Sequence, residues 1–188
     1  MRLFTAIDLP APVILRLERL LSALRPEAQI NWSPLDNLHI TTKFIGEWPE
    51  DRLPELKATL TTLVPCDPFR VELKGLGWFP NAHSPRVLWV GLEGEEPLKN
   101  LAQKTEECLT PLGIPKESRV YSPHLTLARI KRPVPLGRLR QAVEGMQPAA
   151  LGEFTTSSFS LYRSDPGSNA SVYRKVQEFP FESARAAS

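Results

Sequence analysis

The sequence predicts an α+β fold, and three observations carry that prediction. Strand-like and helix-like segments alternate, but without the regular strand–helix–strand rhythm of a doubly wound parallel sheet. Neighbouring strand-like segments are separated by short loops, which suits antiparallel pairing. A short His-x-Thr pattern also occurs twice, at His39 and His124. The two copies lie 85 residues apart in a chain of 188, as a duplicated two-lobe protein would place them.

The elements follow in order. Residues 2–8 (RLFTAID) alternate and read as a strand. Pro10 and Pro12 introduce a helix over 11–25, where Val13, Ile14, Leu17, Leu20, Leu21 and Leu24 recur at helical spacing. Residues 29–32 read as a short strand stopped by Ser33-Pro34, and 38–45 (LHITTKFI) as a strand ending at Gly46. A second helix is expected over 50–64, with Leu53, Leu56, Leu60 and Leu63 on one face and Pro54 confined to its first turn. Segments 69–75 and 86–92 are strands joined by a Pro- and Asn-containing loop. A third helix covers 95–112, a strand 123–130 and a short helix 136–146. Two long alternating segments, 153–164 and 171–181, close the chain.

Composition narrows the class without naming an activity. Hydrophobic residues make up 41% and charged residues 23%, so the chain buries a core and is not disordered. Nineteen prolines and ten glycines stay below the level of a low-complexity or collagenous chain. A net charge of +2 is too weak to imply nucleic acid by itself. Its distribution is more telling, because seven Lys or Arg stand against Glu117 alone between Lys116 and Arg140. That segment reads either as a solvated face or as a path for a polyanion. Cys66 and Cys108 suggest neither a disulfide framework nor a zinc knuckle, which fits a reducing compartment. The apolar N-terminus is interrupted by Asp8, Pro10, Pro12 and Arg16, so neither a signal peptide nor a membrane span is expected. The expectation is a soluble cytoplasmic protein.

The duplicated motif carries the chemistry. His39-Ile40-Thr41 and His124-Leu125-Thr126 each put an imidazole and a hydroxyl on one face of a strand, with the apolar residue on the other. Thr fills 11 of 188 positions, so chance would give two such patterns among three histidines about 1% of the time. One motif alone would be an ordinary strand; the pair on matching strands is not. Two imidazoles titrating near neutrality can share the work of proton acceptor and proton donor at a phosphoester, while Thr hydroxyls donate to phosphate oxygens. No ligand cluster for zinc or a metal pair accompanies them, so neither metal nor cofactor is expected.

HITT at 39–42 and HLTL at 124–127 resemble the paired motifs of the 2H phosphoesterase superfamily. MRLFTAIDLP at 1–10, LHITTKFIGE at 38–47, FPNAHSPRVLWVGL at 79–92, PHLTLARI at 123–130 and VYRKVQEFPF at 172–181 are similar to its RNA 2′,3′-cyclic phosphodiesterase branch, historically called 2′-5′ RNA ligases. The resemblance spans essentially the whole chain. It implies one bilobal catalytic domain over 1–188: two pseudo-symmetric lobes, each an antiparallel sheet with helices outside, around a central cleft. It also implies hydrolysis of an RNA 2′,3′-cyclic phosphate to a 2′-phosphomonoester. By motif position His39 resembles the proton donor to the leaving 3′ oxygen and His124 the base that activates water. Thr41 and Thr126 resemble the phosphate-holding hydroxyls. The expected partner is RNA with a cyclic phosphate end, tRNA halves being one candidate, and the expected state is a monomer. Thr42 departs from the larger apolar residue common at its position; strand parity turns it away from the site.

Among other residues, parity places Lys43 on the His39 face and Arg129 opposite His124, unless a bulge turns Arg129 inward to touch phosphate. His83 reads as a solvated loop residue. Trp32, Trp48, Trp78 and Phe79 are candidates to stack on a base, whereas Trp89 lies in an apolar run and reads as core. Two other functions remain open from sequence: ligation of RNA through a 2′-5′ linkage at the same site, and a non-catalytic RNA-binding module using the cleft and the basic segment.

Overall fold

The computed structural model describes residues 1–147, 149–168 and 170–183. The elements run β1 (Arg2–Ile7), α1 (Ala11–Leu24), β2 (Asn31–Trp32), β3 (Ile40–Glu47), α2 (Leu53–Thr61), β4 (Phe69–Phe79) and β5 (Val87–Glu93). They continue with α3 (Glu96–Leu109), β6 (His124–Arg129), α4 (Gly137–Gly145), β7 (Ala150–Thr156), β8 (Ser158–Asp165) and β9 (Val172–Pro180). All named strand pairs are antiparallel, and the sheet order is β7-β4-β5-β6-β3-β1-β8-β9, with β2 added beside β6.

That order divides in the middle. Four strands, β7-β4-β5-β6, meet four others, β3-β1-β8-β9, through the single residue pair Ile40↔Leu125. The two strands at this seam carry the two His-x-Thr patterns. The α+β expectation holds, and the two half-sheets are continuous across the seam.

Helices cover one face. The stripe Val13, Leu17, Leu20, Leu21 and Leu24 of α1 is buried, and α1 packs on β7 and α4. Leu98, Leu101, Ala102, Thr105 and Leu109 of α3 are buried likewise, with α3 lying on β3 and α2. Both helices begin with a proline in their first turn, where its missing N–H costs nothing. Burial of each fully enclosed leucine, such as Leu17 or Leu21, contributes about 2 kcal/mol.

Three departures from the sequence reading bear on the architecture. The segment 153–164 is two strands that part at Ser157: β7 pairs with β4 and β8 with β1, near opposite ends of the sheet. Alternation alone does not report such a change of partner. The strand at 69–75 runs on to Phe79 because Gly75, at φ +78°, forms a bulge there instead of a turn. The helix expected over 50–64 is confined to Leu53–Thr61.

Candidate active site

His39 immediately precedes β3, and His124 opens β6. An antiparallel register through Ile40↔Leu125 brings His39 abreast of Thr126 and Thr41 abreast of His124. All four line one cleft of about 450 Å³, together with Trp32, Asn37, Phe44, Arg129, Lys131 and Tyr173. Ile40 and Leu125 point the other way into the core and are fully buried.

Both imidazoles are held by the same device. His39 Nδ1 lies 2.7 Å from the carbonyl of Asn37, and His124 Nδ1 lies 2.8 Å from the carbonyl of Ser122. A carbonyl only accepts, so each Nδ1 carries the proton and each neutral ring keeps its lone pair on Nε2. The Thr41 hydroxyl is 2.9 Å from His39 Nε2 and donates to it while the ring is neutral. Aromatic rings fix the planes. Phe4 stacks on His39 at 4.8 Å and Tyr173 meets it edge-on at 5.3 Å, while Phe79 meets His124 edge-on at 5.0 Å.

Electrostatics separate the two histidines. Burial lowers the pKa of both below the usual 6.5, and the positive charge of Arg129 lowers them further. The upstream carbonyls oppose this by stabilising the imidazolium. His39 has an additional ally in the carboxylate of Asp8, which favours its protonated form. Asp8 accepts hydrogen bonds from Ser160 Oγ at 2.9 Å, Lys175 Nζ at 2.7 Å and the Tyr162 hydroxyl. Burial pushes the Asp8 carboxyl up, but those bonds outweigh it and hold it below its ordinary 3.8. Asp8 is therefore a carboxylate at neutral pH, and its charge acts on one histidine of the pair.

Lys43 does not join the cleft, which corrects its expected facing. In β1–β3 the register passes from Ala6↔Thr41 to Thr5↔Lys43, so Thr42 is an extra residue and parity reverses beyond it. Lys43 is buried on the helix-covered side, with Nζ 2.7 Å from Glu106, 2.9 Å from the Pro115 carbonyl and 3.8 Å from Glu117. Thr42 faces away from the cleft, as expected, and its hydroxyl is 2.8 Å from that of Thr5.

Arg129 is turned inward by the same kind of bulge. In β5–β6 the register passes from Trp89↔Thr126 to Leu88↔Ala128, leaving Leu127 extra. Leu127 and Ala128 are consequently both buried, and Arg129 reaches the cleft face. The bulge is thus duplicated with the motif. It brings the residue five beyond each histidine, Phe44 on one side and Arg129 on the other, to the cleft. The break in alternation at Leu127-Ala128 was its trace in the sequence; Thr42-Lys43 left none.

Of the aromatic candidates, Trp32 lines the cleft and Phe79 backs His124, whereas Trp48 is buried in the core. Trp89 is not in the helix-covered core. It lies across from Thr126 and rests over Gly77, where any Cβ would collide with its ring. His83 is exposed in its loop, as expected. Sequence reading missed Phe44, Tyr173, Tyr162 and Asp8; only Asp8, at the end of the first strand beside the prolines, stood out in position.

The sequence profile of the 2′-5′ RNA ligase superfamily matches residues 11–168. The chain belongs to that superfamily. Within the 2′-5′ RNA ligase superfamily it is similar to the RNA 2′,3′-cyclic phosphodiesterase of Methanocaldococcus jannaschii, 33% identical over 95% of this chain and 100% of the relative. It is also similar to the protein of that name from Thermus thermophilus, 35% identical over 95% of this chain and 89% of the relative. The crystal structure of TT0787 of Thermus thermophilus shares its fold with a TM-score of 0.84 at 33% identity, covering 97% of this chain and 99% of that one. E. coli LigT complexed with 3′-AMP shares this chain's fold, with a TM-score of 0.77 at 24% identity, covering 96% of this chain and 97% of that one.

Proposed function

We propose that the chain hydrolyses RNA 2′,3′-cyclic phosphate ends to 2′-phosphomonoesters by acid–base catalysis between His39 and His124. The observation that carries the reading is the matched pair of imidazoles, each tied through Nδ1 to a backbone carbonyl so that both Nε2 atoms serve one cleft. The relatives' name, RNA 2′,3′-cyclic phosphodiesterase, supplies the substrate class.

Neutral His124 takes a proton from water at Nε2 as the water oxygen attacks phosphorus. Protonated His39 gives its Nε2 proton to the departing 3′ oxygen, leaving the phosphate on the 2′ oxygen. Asp8 supports this assignment, because its negative charge favours the imidazolium at His39. Thr41, Thr126 and Arg129 hold the non-bridging oxygens, and Arg129 stabilises the charge that develops on them. These proton transfers need no metal ion. The whole chain acts as one bilobal unit, since each half-sheet supplies one histidine and one threonine. A monomer in the cytoplasm, acting on RNA ends such as those of tRNA halves, completes the proposal. Two free cysteines fit that compartment. Among the described residues no helix is long and apolar enough to cross a membrane.

The test is a phosphorus NMR time course on 2′,3′-cyclic AMP in excess EDTA. The wild type should give 2′-AMP alone. His39→Ala and His124→Ala should each lower kcat by at least about 10²-fold while keeping the native circular dichroism spectrum. Full activity in either variant, or dependence on added metal, overturns the mechanism.

A further inference from the structure

Beside the catalytic cleft runs a second groove of about 440 Å³, lined by Arg25, Asn31, Trp32, Lys131 and Arg132 among others. It shares Asn31, Trp32 and Lys131 with the cleft, so the two are continuous. Among the described residues, no carboxylate lines either one. Arg25, Lys131 and Arg132 are exposed there.

We infer that this groove binds the RNA strand on the 5′ side of the terminal nucleotide, contacting the next phosphodiester and base; the inference rests on the function proposed above. A cyclic phosphate seated between the histidines closes the 3′ end, so the strand can leave the cleft only from its 5′ side. The shared residues of cleft and groove offer that strand a continuous path. Three cations without a lining carboxylate suit a phosphodiester oxygen. Trp32 suits a base. Its indole N–H donates to the Ala28 carbonyl at 3.1 Å, which fixes the ring at the boundary of the two cavities. β2, which carries Trp32, pairs with β6 at Ala128 and Arg129, so this platform is tied to the catalytic strand itself. A stacked base and two or three cations are a recurrent way to hold a single strand without reading its sequence.

The test compares a 2′,3′-cyclic mononucleotide with a trinucleotide ending in the same cyclic nucleotide, using wild type and the Arg25→Ala/Arg132→Ala double variant. Both side chains are exposed and lie outside the catalytic cleft. Wild-type kcat/KM should be at least about tenfold higher on the trinucleotide. The double variant should lose most of that advantage yet stay within about twofold on the mononucleotide. Its salt dependence on the trinucleotide should also weaken, by a slope of about 1.4 for two lost phosphate contacts on a single strand. Equal wild-type values on the two substrates, or an equal loss on both in the variant, overturn the inference. Should the wild type turn over neither substrate, the proposed activity fails, and fluorescence anisotropy of a labelled 2′-phosphorylated trinucleotide decides the groove separately. Tighter binding by the wild type than by the double variant supports it, and equal binding overturns it.

Discussion

Replacing Glu106 by Gln tests whether Lys43 is a structural cation, as its position implies, or a phosphate contact. The Lys43 side chain is 2% exposed and holds Glu106 at 2.7 Å, the Pro115 carbonyl at 2.9 Å and Glu117 at 3.8 Å. Removing one partner of a buried pair costs about 3–5 kcal/mol because the other charge stays behind. Glu106 is 19% exposed and Glu117 remains nearby, so the low end applies, about 3 kcal/mol. A chain of 188 residues has an unfolding entropy near 0.4 kcal/mol/K, taking about 2.1 cal/mol/K per residue, so Tm should fall by about 8 °C. Lys43→Met removes the buried charge at similar volume and frees Glu106 to hydrate, so it should cost less, about 1 kcal/mol or roughly 2–3 °C. Scanning calorimetry measures the two Tm values, and hydrolysis of 2′,3′-cyclic AMP measures activity. Both variants should keep kcat/KM within about twofold at 25 °C, because Lys43 lies on the far face of β3. A loss of 10²-fold or more in Lys43→Met with Tm intact would refute the structural role.

Arg129→Gln should lower kcat/KM by about 10–100-fold, the worth of one charged hydrogen bond. It should also move the optimum of the kcat/KM–pH profile upward, because Arg129 depresses both histidines; an unmoved optimum would place Arg129 away from them. Thr42→Val strands the buried Thr5 hydroxyl and should cost about 1–3 kcal/mol by urea denaturation. Thr5→Val/Thr42→Val should recover most of that loss, and a simply additive double variant would contradict the pairing. Between about pH 6.5 and 8 stability should be level, and it should decline below 6.5 because both histidines have folded pKa values under 6.5. In that window the unfolded chain binds more protons than the folded one, so lowering the pH favours unfolding. The contribution of Asp8 is present above its unfolded 3.8 and is lost only further down, as pH falls through its depressed folded value. Urea midpoints at pH 5.5 and 7.5 check the upper step; equal midpoints would count against it.

Strand parity was enough to put His39 and Thr41 on one face, and His124 and Thr126 likewise, because the relation spans only two residues. It failed at Lys43, further along the same strand, because a bulge is a property of two paired strands and one strand's pattern does not contain it. Arg129 shows the same bulge from the other side, where the adjacent apolar pair Leu127-Ala128 interrupts the alternation. Asp8, Tyr162 and Lys175 meet only because β1 pairs with β8 and β8 with β9. Their separations of 152 to 167 residues from Asp8, with Ser160 included, lie beyond any local pattern. The helices were the easiest part, since the apolar stripe of α1 needs no partner to be recognised.

The way helices and strands are shared out bears on how the molecule assembles. α1, made early in the chain, lies on β7 and α4 from its last third, while α3 lies back on β3 from its first. β1 in turn is clasped between β3 and β8. The two ends of the polypeptide are therefore braided through each other, and cutting it near the middle would strip each fragment of a helix that covers its own strands. Such a chain is expected to melt as one cooperative unit and to fold slowly, because its β1–β8 and α1–β7 contacts close loops of well over 100 residues.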